Sequence, residues 1–287
     1  MTTPALKTDY ECFEVSVEDR IAHIRLSRPE KRNAMSPSFW DDLPAIIRDI
    51  DDHSRARVVV ISADTVPGKP VFSAGIDVSM FGAIGGRGDK NAPDYGAEFY
   101  QKVLHLQDSF SALERARIPV IAAIDGACIG GAVDLITACD MRYATDASFI
   151  TIYEIMVGMT ADVGTFPRIL NHMPEGVVRE LSYTGRRMGA SECAQHGLFN
   201  QTFADTDAMM DHVMEVARQI AQRPPLAVYG CKRIITYARD HSTADTLDNI
   251  AVWNMSMLIP SEMMEAMAAK GAKREGRFAD LPKRQAG

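Results

Sequence analysis

The chain has 287 residues and a mass of 31.6 kDa, enough for one large domain or two small ones. Its formal net charge of -7 and isoelectric point near 5.5 argue against a nucleic-acid partner, because nucleic-acid binding favours a basic surface. No apolar run reaches the roughly 18 residues that span a bilayer, and the first twenty residues lack the apolar centre of a signal peptide. We therefore expect a cytoplasmic protein without a membrane partner.

Patterns typical of strands and helices alternate in the first part of the chain. Residues 13–30 alternate apolar and polar side chains around a turn, as two half-buried strands do. Residues 36–53 begin with Ser-Pro and continue with helical apolar spacing, and "ARVVVISA" at 56–63 is typical of a strand covered on both faces. Residues 66–96 are rich in glycine and predict a loop. This alternation predicts an α/β fold.

The second half of the chain changes from mixed to helical patterning. A helix over 98–117 precedes a buried strand at 119–125, which leads into a glycine turn, a helix and a further strand. From about residue 191 the apolar spacing is helical, and the last helices carry a methionine-rich face typical of core or subunit contacts. We predict an α/β core over 1–200 and a helical region over 201–287.

Two glycine turns are candidate sites for a negatively charged oxygen. In "GACIGGAVD" the glycines join a buried strand to a helix, whose first N–H groups are free to bind negative charge. In "FSAGID", Gly75 would let the N–H of Ile76 point into a cavity. A generic structural turn is the alternative in both places. The fingerprint G-x-G-x-x-G is absent, and the five cysteines show no C-x-x-C spacing, so we expect neither a dinucleotide nor a metal site.

Two acids, Glu154 and Asp162, lie eight residues apart among apolar and small residues in "EIMVGMTADVGTF". A carboxylate is costly to bury without partners. The pair therefore indicates either a hydrogen-bonded structural network or a site poised for proton transfer.

Taken together and in order, four segments resemble the crotonase, or enoyl-CoA hydratase/isomerase, superfamily. They are "RPEKRNAM", "FSAGIDVSMF", "IPVIAAIDGACIGGAVDLITACDMRYAT" and "EIMVGMTADVGTFPRI". The resemblance implies a spiral of ββα turns with a C-terminal helical region that trimerises, possibly doubled to a hexamer. It also implies an acyl-CoA substrate and no cofactor beyond the coenzyme A that this substrate carries.

The resemblance also assigns binding roles to residues of this chain. The backbone N–H groups of Ile76 and Gly131 would form an oxyanion hole for the thioester oxygen. Lys31 and Arg32 would contact phosphates of coenzyme A, although a solvated charged turn is the alternative for both. The remaining predicted coenzyme A contacts are Ala34, Ala74, Gly75, Asp77 and Val78.

The acids of the site decide which reaction the resemblance implies. Hydratases of the superfamily carry two glutamates, and this chain has Asp134 and Glu154 in those positions. The third acid, Asp162, and "WNMSML" at 253–258 make the chain most similar to the Δ3,5-Δ2,4-dienoyl-CoA isomerases. In that interpretation Glu154 serves C2, Asp162 serves C6, and Asp134 orients or tunes them. The alternatives are an enoyl-CoA hydratase, a non-catalytic acyl-CoA-binding protein, and a structural Asp134 that caps a nearby turn.

Overall fold

A computed structural model describes residues 5–80 and 94–284, and it begins with an antiparallel strand pair. Strand β1 covers Phe13–Glu18 and β2 covers Ile21–Leu26, joined by a two-residue turn in which Asp19 and Arg20 have positive φ. This pair confirms the prediction made from the alternating pattern of residues 13–30.

The main sheet continues with β3 (Val58–Ala63), β5 (Val120–Ile124), β7 (Met141–Thr145) and β10 (Gln201–Phe203). Its described strands lie in the order β1-β2-β3-β5-β7-β10, and beyond β1 neighbouring strands are parallel. Strand β10 lies where the sequence pattern predicted helix, and its three residues pair with the edge of β7.

A second sheet of four strands has the order β4-β6-β8-β9. Its strands are β4 (Val71–Ser73), β6 (Ala127–Ile129), β8 (Phe149–Thr151) and β9 (Met188–Gly189). The pairs β3/β4, β5/β6 and β7/β8 each place their first strand in the main sheet and their second strand here. The chain therefore winds through repeated ββα turns, as predicted. Strand β4 lies within the predicted loop 66–96, whose residues 81–93 lie outside the described part.

Helices follow the strands and cover both faces of the main sheet. Those whose full extent lies within the described part of the chain are α1 (Pro37–Asp52), α2 (Tyr95–Arg115), α3 (Gly131–Thr137), α4 (Thr165–Ile169), α5 (Glu175–Thr184), α6 (Ala190–Gln195), α7 (Thr206–Ala221), α8 (Pro225–Ala238), α9 (Thr243–Met257) and α10 (Pro260–Gly271). Within residues 5–80 and 94–284, two 3-10 helices cover Pro29–Lys31 and Glu154–Val157.

Strand β3 shows how the core is divided by the main sheet. Val59 and Ile61 belong to the large cluster that contains buried residues of α1 and of the C-terminal half of α2. Val58 and Val60 pack in a second cluster with α7. Successive side chains of a strand point to opposite faces, so a strand between two apolar layers must be apolar throughout. The predicted α/β core and C-terminal helices are confirmed.

The C-terminal helices α9 and α10 expose large apolar side chains. Met255 is 81% exposed, and Met264 and Met267 are also largely exposed. Among the described helices, none is long and apolar enough to cross a membrane. The division of the chain into 1–200 and 201–287 stays a prediction; α7, in the second part, packs on the main sheet.

Candidate active site

Two backbone N–H groups from separate glycine turns come close together beside the second sheet. A Cβ built on Gly131, the first residue of α3, would lie 3.7 Å from the backbone nitrogen of Ile76. Within residues 5–80 and 94–284, no hydrogen-bond acceptor is found for either N–H. The structure thus brings the two predicted oxyanion donors together, and neither N–H has an acceptor among the described residues. A pair of this kind stabilises an oxygen on which negative charge develops.

Glycine is required at the turn on each side of this pair. Gly75 has a φ of 80°, and a Cβ there would lie 2.5 Å from the carbonyl oxygen of Ile129. Gly130 has a φ of 54°, and its Cβ would lie 3.0 Å from Oε1 of Glu154. The absence of side chains therefore lets the two turns approach each other and lets the Glu154 carboxylate lie against the second turn.

The two predicted coenzyme A segments lie side by side and lead to the oxyanion donors. The N–H of Ala74 donates to the carbonyl of Arg32 at 2.9 Å. Met35 then pairs with the next segment, donating to Gly75 O at 2.8 Å and accepting from the N–H of Asp77 at 3.0 Å. Residues 31–35 and 74–78 therefore form one continuous surface.

Asn33 holds this surface together, and the sequence reasoning missed it. Its side chain is 3% exposed; Oδ1 accepts from the N–H of Arg28, and Nδ2 donates to the carbonyls of Asp64 and Val71 at 2.9 and 3.0 Å. Its φ of 50° is a left-handed conformation that asparagine tolerates better than most residues. An asparagine following two cations in "EKRNA" was the signal available for such a turn.

The charged members of the predicted coenzyme A surface lie open to solvent. Lys31 and Arg32 are exposed at the end of the first 3-10 helix, and Val78 is 78% exposed. The pKa of Asp77 is lowered, chiefly by hydrogen bonds from Ser79 and also by the charges of Arg28 and Lys31. Lys31 and Arg32 offer the positive charge that phosphates require, whereas their contact with coenzyme A stays a prediction.

Asp134 is completely buried in the first turn of α3 and bridges two parts of the site. Its Oδ1 accepts from the N–H of Thr165 at 2.6 Å, so it does cap the start of α4, as the structural alternative proposed. Its Oδ2 is buried and has no hydrogen-bond partner among the described residues. Burial, and next the charge of Glu154, raise the pKa of Asp134 to about 8. The cap therefore accounts for one oxygen and leaves the other for the site.

Glu154 and Asp162 form the second pair of interacting acids. Burial raises the pKa of each carboxyl, and the backbone N–H of the same residue opposes the rise in both cases. The charge of Asp162 raises the pKa of Glu154 further. Since Glu154 acts in the same way on Asp134, the structure brings all three predicted acids into one electrostatic cluster beside the oxyanion donors. Mutual repulsion and burial favour the protonated form of each carboxyl, which suits such a cluster to proton transfer.

Comparison with known proteins places this geometry in a family. The family model described as enoyl-CoA hydratase/isomerase matches residues 16–278. The chain is 38% identical to the Δ3,5-Δ2,4-dienoyl-CoA isomerase, mitochondrial, of Mus musculus over 272 residues, which cover 93% of this chain and 81% of that protein. It is 35% identical to the peroxisomal Δ3,5-Δ2,4-dienoyl-CoA isomerase of Arabidopsis thaliana over 284 residues, covering 98% of this chain and 100% of that protein.

A solved structure supports the fold. The crystal structure of enoyl-CoA hydratase from Bacillus anthracis superimposes with a TM-score of 0.83 and 24% identity, covering 94% of this chain and 100% of that one.

The prediction of a cytoplasmic location is wrong in the light of these relatives. Their names place them in mitochondria or peroxisomes. The prediction used the absence of a membrane-spanning apolar run and of a signal-peptide pattern, and neither absence distinguishes the cytoplasm from an organelle.

Proposed function

The chain belongs to the enoyl-CoA hydratase/isomerase family, and we propose that it isomerises a 3,5-dienoyl-CoA to the 2,4-dienoyl-CoA. Relatives named Δ3,5-Δ2,4-dienoyl-CoA isomerase, 35–38% identical over most of the chain, support an isomerase over a hydratase. The main support for the proposal is the cluster of Asp134, Glu154 and Asp162 beside the backbone N–H groups of the two glycine turns, for which the described residues supply no acceptor.

We assign substrate binding to the surface formed by residues 31–35 and 74–78. Lys31 and Arg32 would hold phosphates of coenzyme A by charge, and the paired backbones would contact the rest of its chain. The thioester oxygen would then accept hydrogen bonds from the N–H groups of Ile76 and Gly131. These donors stabilise the dienolate more than the neutral thioester, because the oxygen gains negative charge only when a proton leaves C2.

Two proton transfers complete the reaction, and each needs its own carboxyl group. Glu154, as a carboxylate against the Gly130 turn, would remove a proton from C2. The electron pair spreads from C2 to C6, and a protonated Asp162 would give its proton to C6. The interaction of their charges favours this division, because two nearby carboxyls share protons more readily than both ionise. Glu154 ends protonated and Asp162 ionised, so a proton must return to Asp162 before the next turnover.

Asp134 would act on these transfers without touching the substrate. With a pKa raised to about 8, it remains a neutral acid at neutral pH. A neutral neighbour spares Glu154 the repulsion of a second buried charge and lets Glu154 remain the base.

The test is to offer matched 2-enoyl-CoA and 3,5-dienoyl-CoA substrates of one chain length and to measure both activities. Isomerisation is followed through the absorbance of the conjugated product. Turnover of the diene at a far greater rate supports the proposal. Hydration of the 2-enoyl-CoA without diene isomerisation would identify a hydratase, and neither activity would favour a non-catalytic acyl-CoA-binding protein.

We further propose a homotrimer, possibly doubled to a hexamer, with a role in fatty-acid β-oxidation and no cofactor besides the coenzyme A of the substrate. The exposed apolar side chains of α9 and α10 support the assembly, since a helix with an uncovered apolar face needs a partner. Light scattering on dilute, active protein tests the assembly. A fully active monomer would refute it.

A further inference from the structure

Helix α2 contacts the segment that carries Asp162 through one polar face. Gln107, Ser111 and Glu114 are spaced four and three residues apart, so they lie on the same side of the helix. Nε2 of Gln107 donates to the backbone carbonyl of Asp162 at 2.7 Å. One and two turns on, Ser111 and Glu114 accept from Arg168 at 3.0 and 2.7 Å.

Both ends of the segment 162–168 are therefore fixed to α2, and its middle is fixed to the active site. Arg168 is 8% exposed and anchors the C-terminal end, while the N–H of Thr165 donates to Asp134. At the N-terminal end, the side chain of Gln107 bridges from α2 to the backbone of the catalytic acid itself. Gln107 also lies against its own helix, because Ser111 Oγ donates to the Gln107 carbonyl.

From this arrangement we propose that Gln107 is a positioning residue that sets the place of the Asp162 carboxylate. The inference rests on the proposed function. The Asp162 side chain has two torsions between backbone and carboxylate, so a shift of its backbone moves the carboxylate almost directly. Proton transfer depends steeply on geometry, and a misplacement of about 1 Å costs about 100-fold in rate.

The contact should matter for one end of the reaction and spare the other. Asp162 serves C6, whereas Glu154 is held from the 3-10 helix Glu154–Val157 and lies against Gly130. Loss of the Gln107 amide should therefore slow protonation at C6 while proton removal at C2 continues. General damage to the fold would slow both steps together.

The experiment compares wild type with Gln107→Leu and Gln107→Glu. Neither replacement donates a hydrogen bond at neutral pH, and the second retains the shape of glutamine if the first fails to fold. Gln101→Leu is the matched control, an exposed position on the same helix. Each protein is assayed for diene isomerisation and for exchange of the C2 proton with deuterated solvent, with circular dichroism to confirm folding.

We expect both Gln107 variants to lose about 10- to 100-fold in isomerisation kcat, with KM and C2 exchange changed by no more than about 3-fold. Gln101→Leu should match wild type in all three. Unchanged isomerisation in the Gln107 variants, or a parallel fall in isomerisation and exchange, would overturn the inference while leaving the proposed function intact. A wild type that isomerises no diene would overturn both.

Discussion

Replacement of Asp134 by asparagine should stabilise the protein relative to wild type. This gain in the free energy of unfolding should grow as the pH rises. The unfolded chain holds this acid near its ordinary pKa of 3.8, whereas burial raises the folded value to about 8. Between these values folding must take up a proton. The wild type therefore loses stability at this site by about 1.4 kcal/mol for each pH unit from about 4 to about 8, and above that range the loss is complete.

The magnitude follows from the difference of about 4 between the two pKa values, which sets an upper limit of about 6 kcal/mol on the gain from Asp134→Asn. Asparagine is nearly isosteric, and its carbonyl oxygen can still accept from the N–H of Thr165. The stability difference between variant and wild type should therefore be smallest near pH 4 and should grow up to pH 8.

The assay is urea unfolding of wild type and variant at a series of pH values, with Asp146→Asn as a control that removes one exposed carboxyl. A stability difference that does not vary with pH would refute the assignment of a buried, neutral Asp134.

Three further predictions concern the other parts of the site and its assembly. Gly130→Ala should lower C2 exchange and isomerisation together by at least about 10-fold, because its Cβ would lie 3.0 Å from Glu154 Oε1; equal rates in an exchange assay would contradict this. Replacing both Lys31 and Arg32 by alanine should raise KM several-fold with kcat unchanged, and the rise should be larger at low salt. A wild-type KM that does not depend on salt would argue for a solvated turn. Met264→Glu should weaken assembly in sedimentation experiments, whereas an unchanged sedimentation profile would show that this face of α10 is not at an interface.

Much of the fold could be predicted from local sequence patterns, and the packing in the structure explains why those patterns are present. The first four residues of strand β3, 58–61, are apolar because one face of the strand packs on the large cluster and the other on α7. Strand β10 could not be predicted in this way, since three residues acquire their identity from pairing with β7 rather than from their own periodicity. The location was predicted wrongly because the absence of a membrane-spanning run and of a signal-peptide pattern does not identify a compartment.

The residues of the candidate site also fall into those that the sequence pattern reveals and those that it does not. Gly75, Gly130 and the three acids can be recognised in the sequence, because glycine turns and acids among apolar residues are patterns that indicate a functional site. Gln107 and Thr165 do not, since each acts on a residue distant in the sequence: Gln107 bonds a backbone carbonyl 55 positions away, and Thr165 bonds an acid 31 positions away. Residues of this kind become recognisable only when the fold brings their partners together.

If the third acid makes this protein an isomerase of conjugated dienes, Asp162→Asn should remove that activity. Asparagine preserves the shape of the side chain and removes its ability to carry a proton. General acid–base groups contribute about 10²–10⁴-fold to the rate, so kcat for conversion of a 3,5-dienoyl-CoA should fall by at least about 100-fold. KM should change much less. Exchange of the C2 proton, which depends on Glu154 and the two N–H groups, should survive in part. An Asp162→Asn protein that isomerises dienes at the wild-type rate would show that Asp162 does not transfer a proton in the reaction.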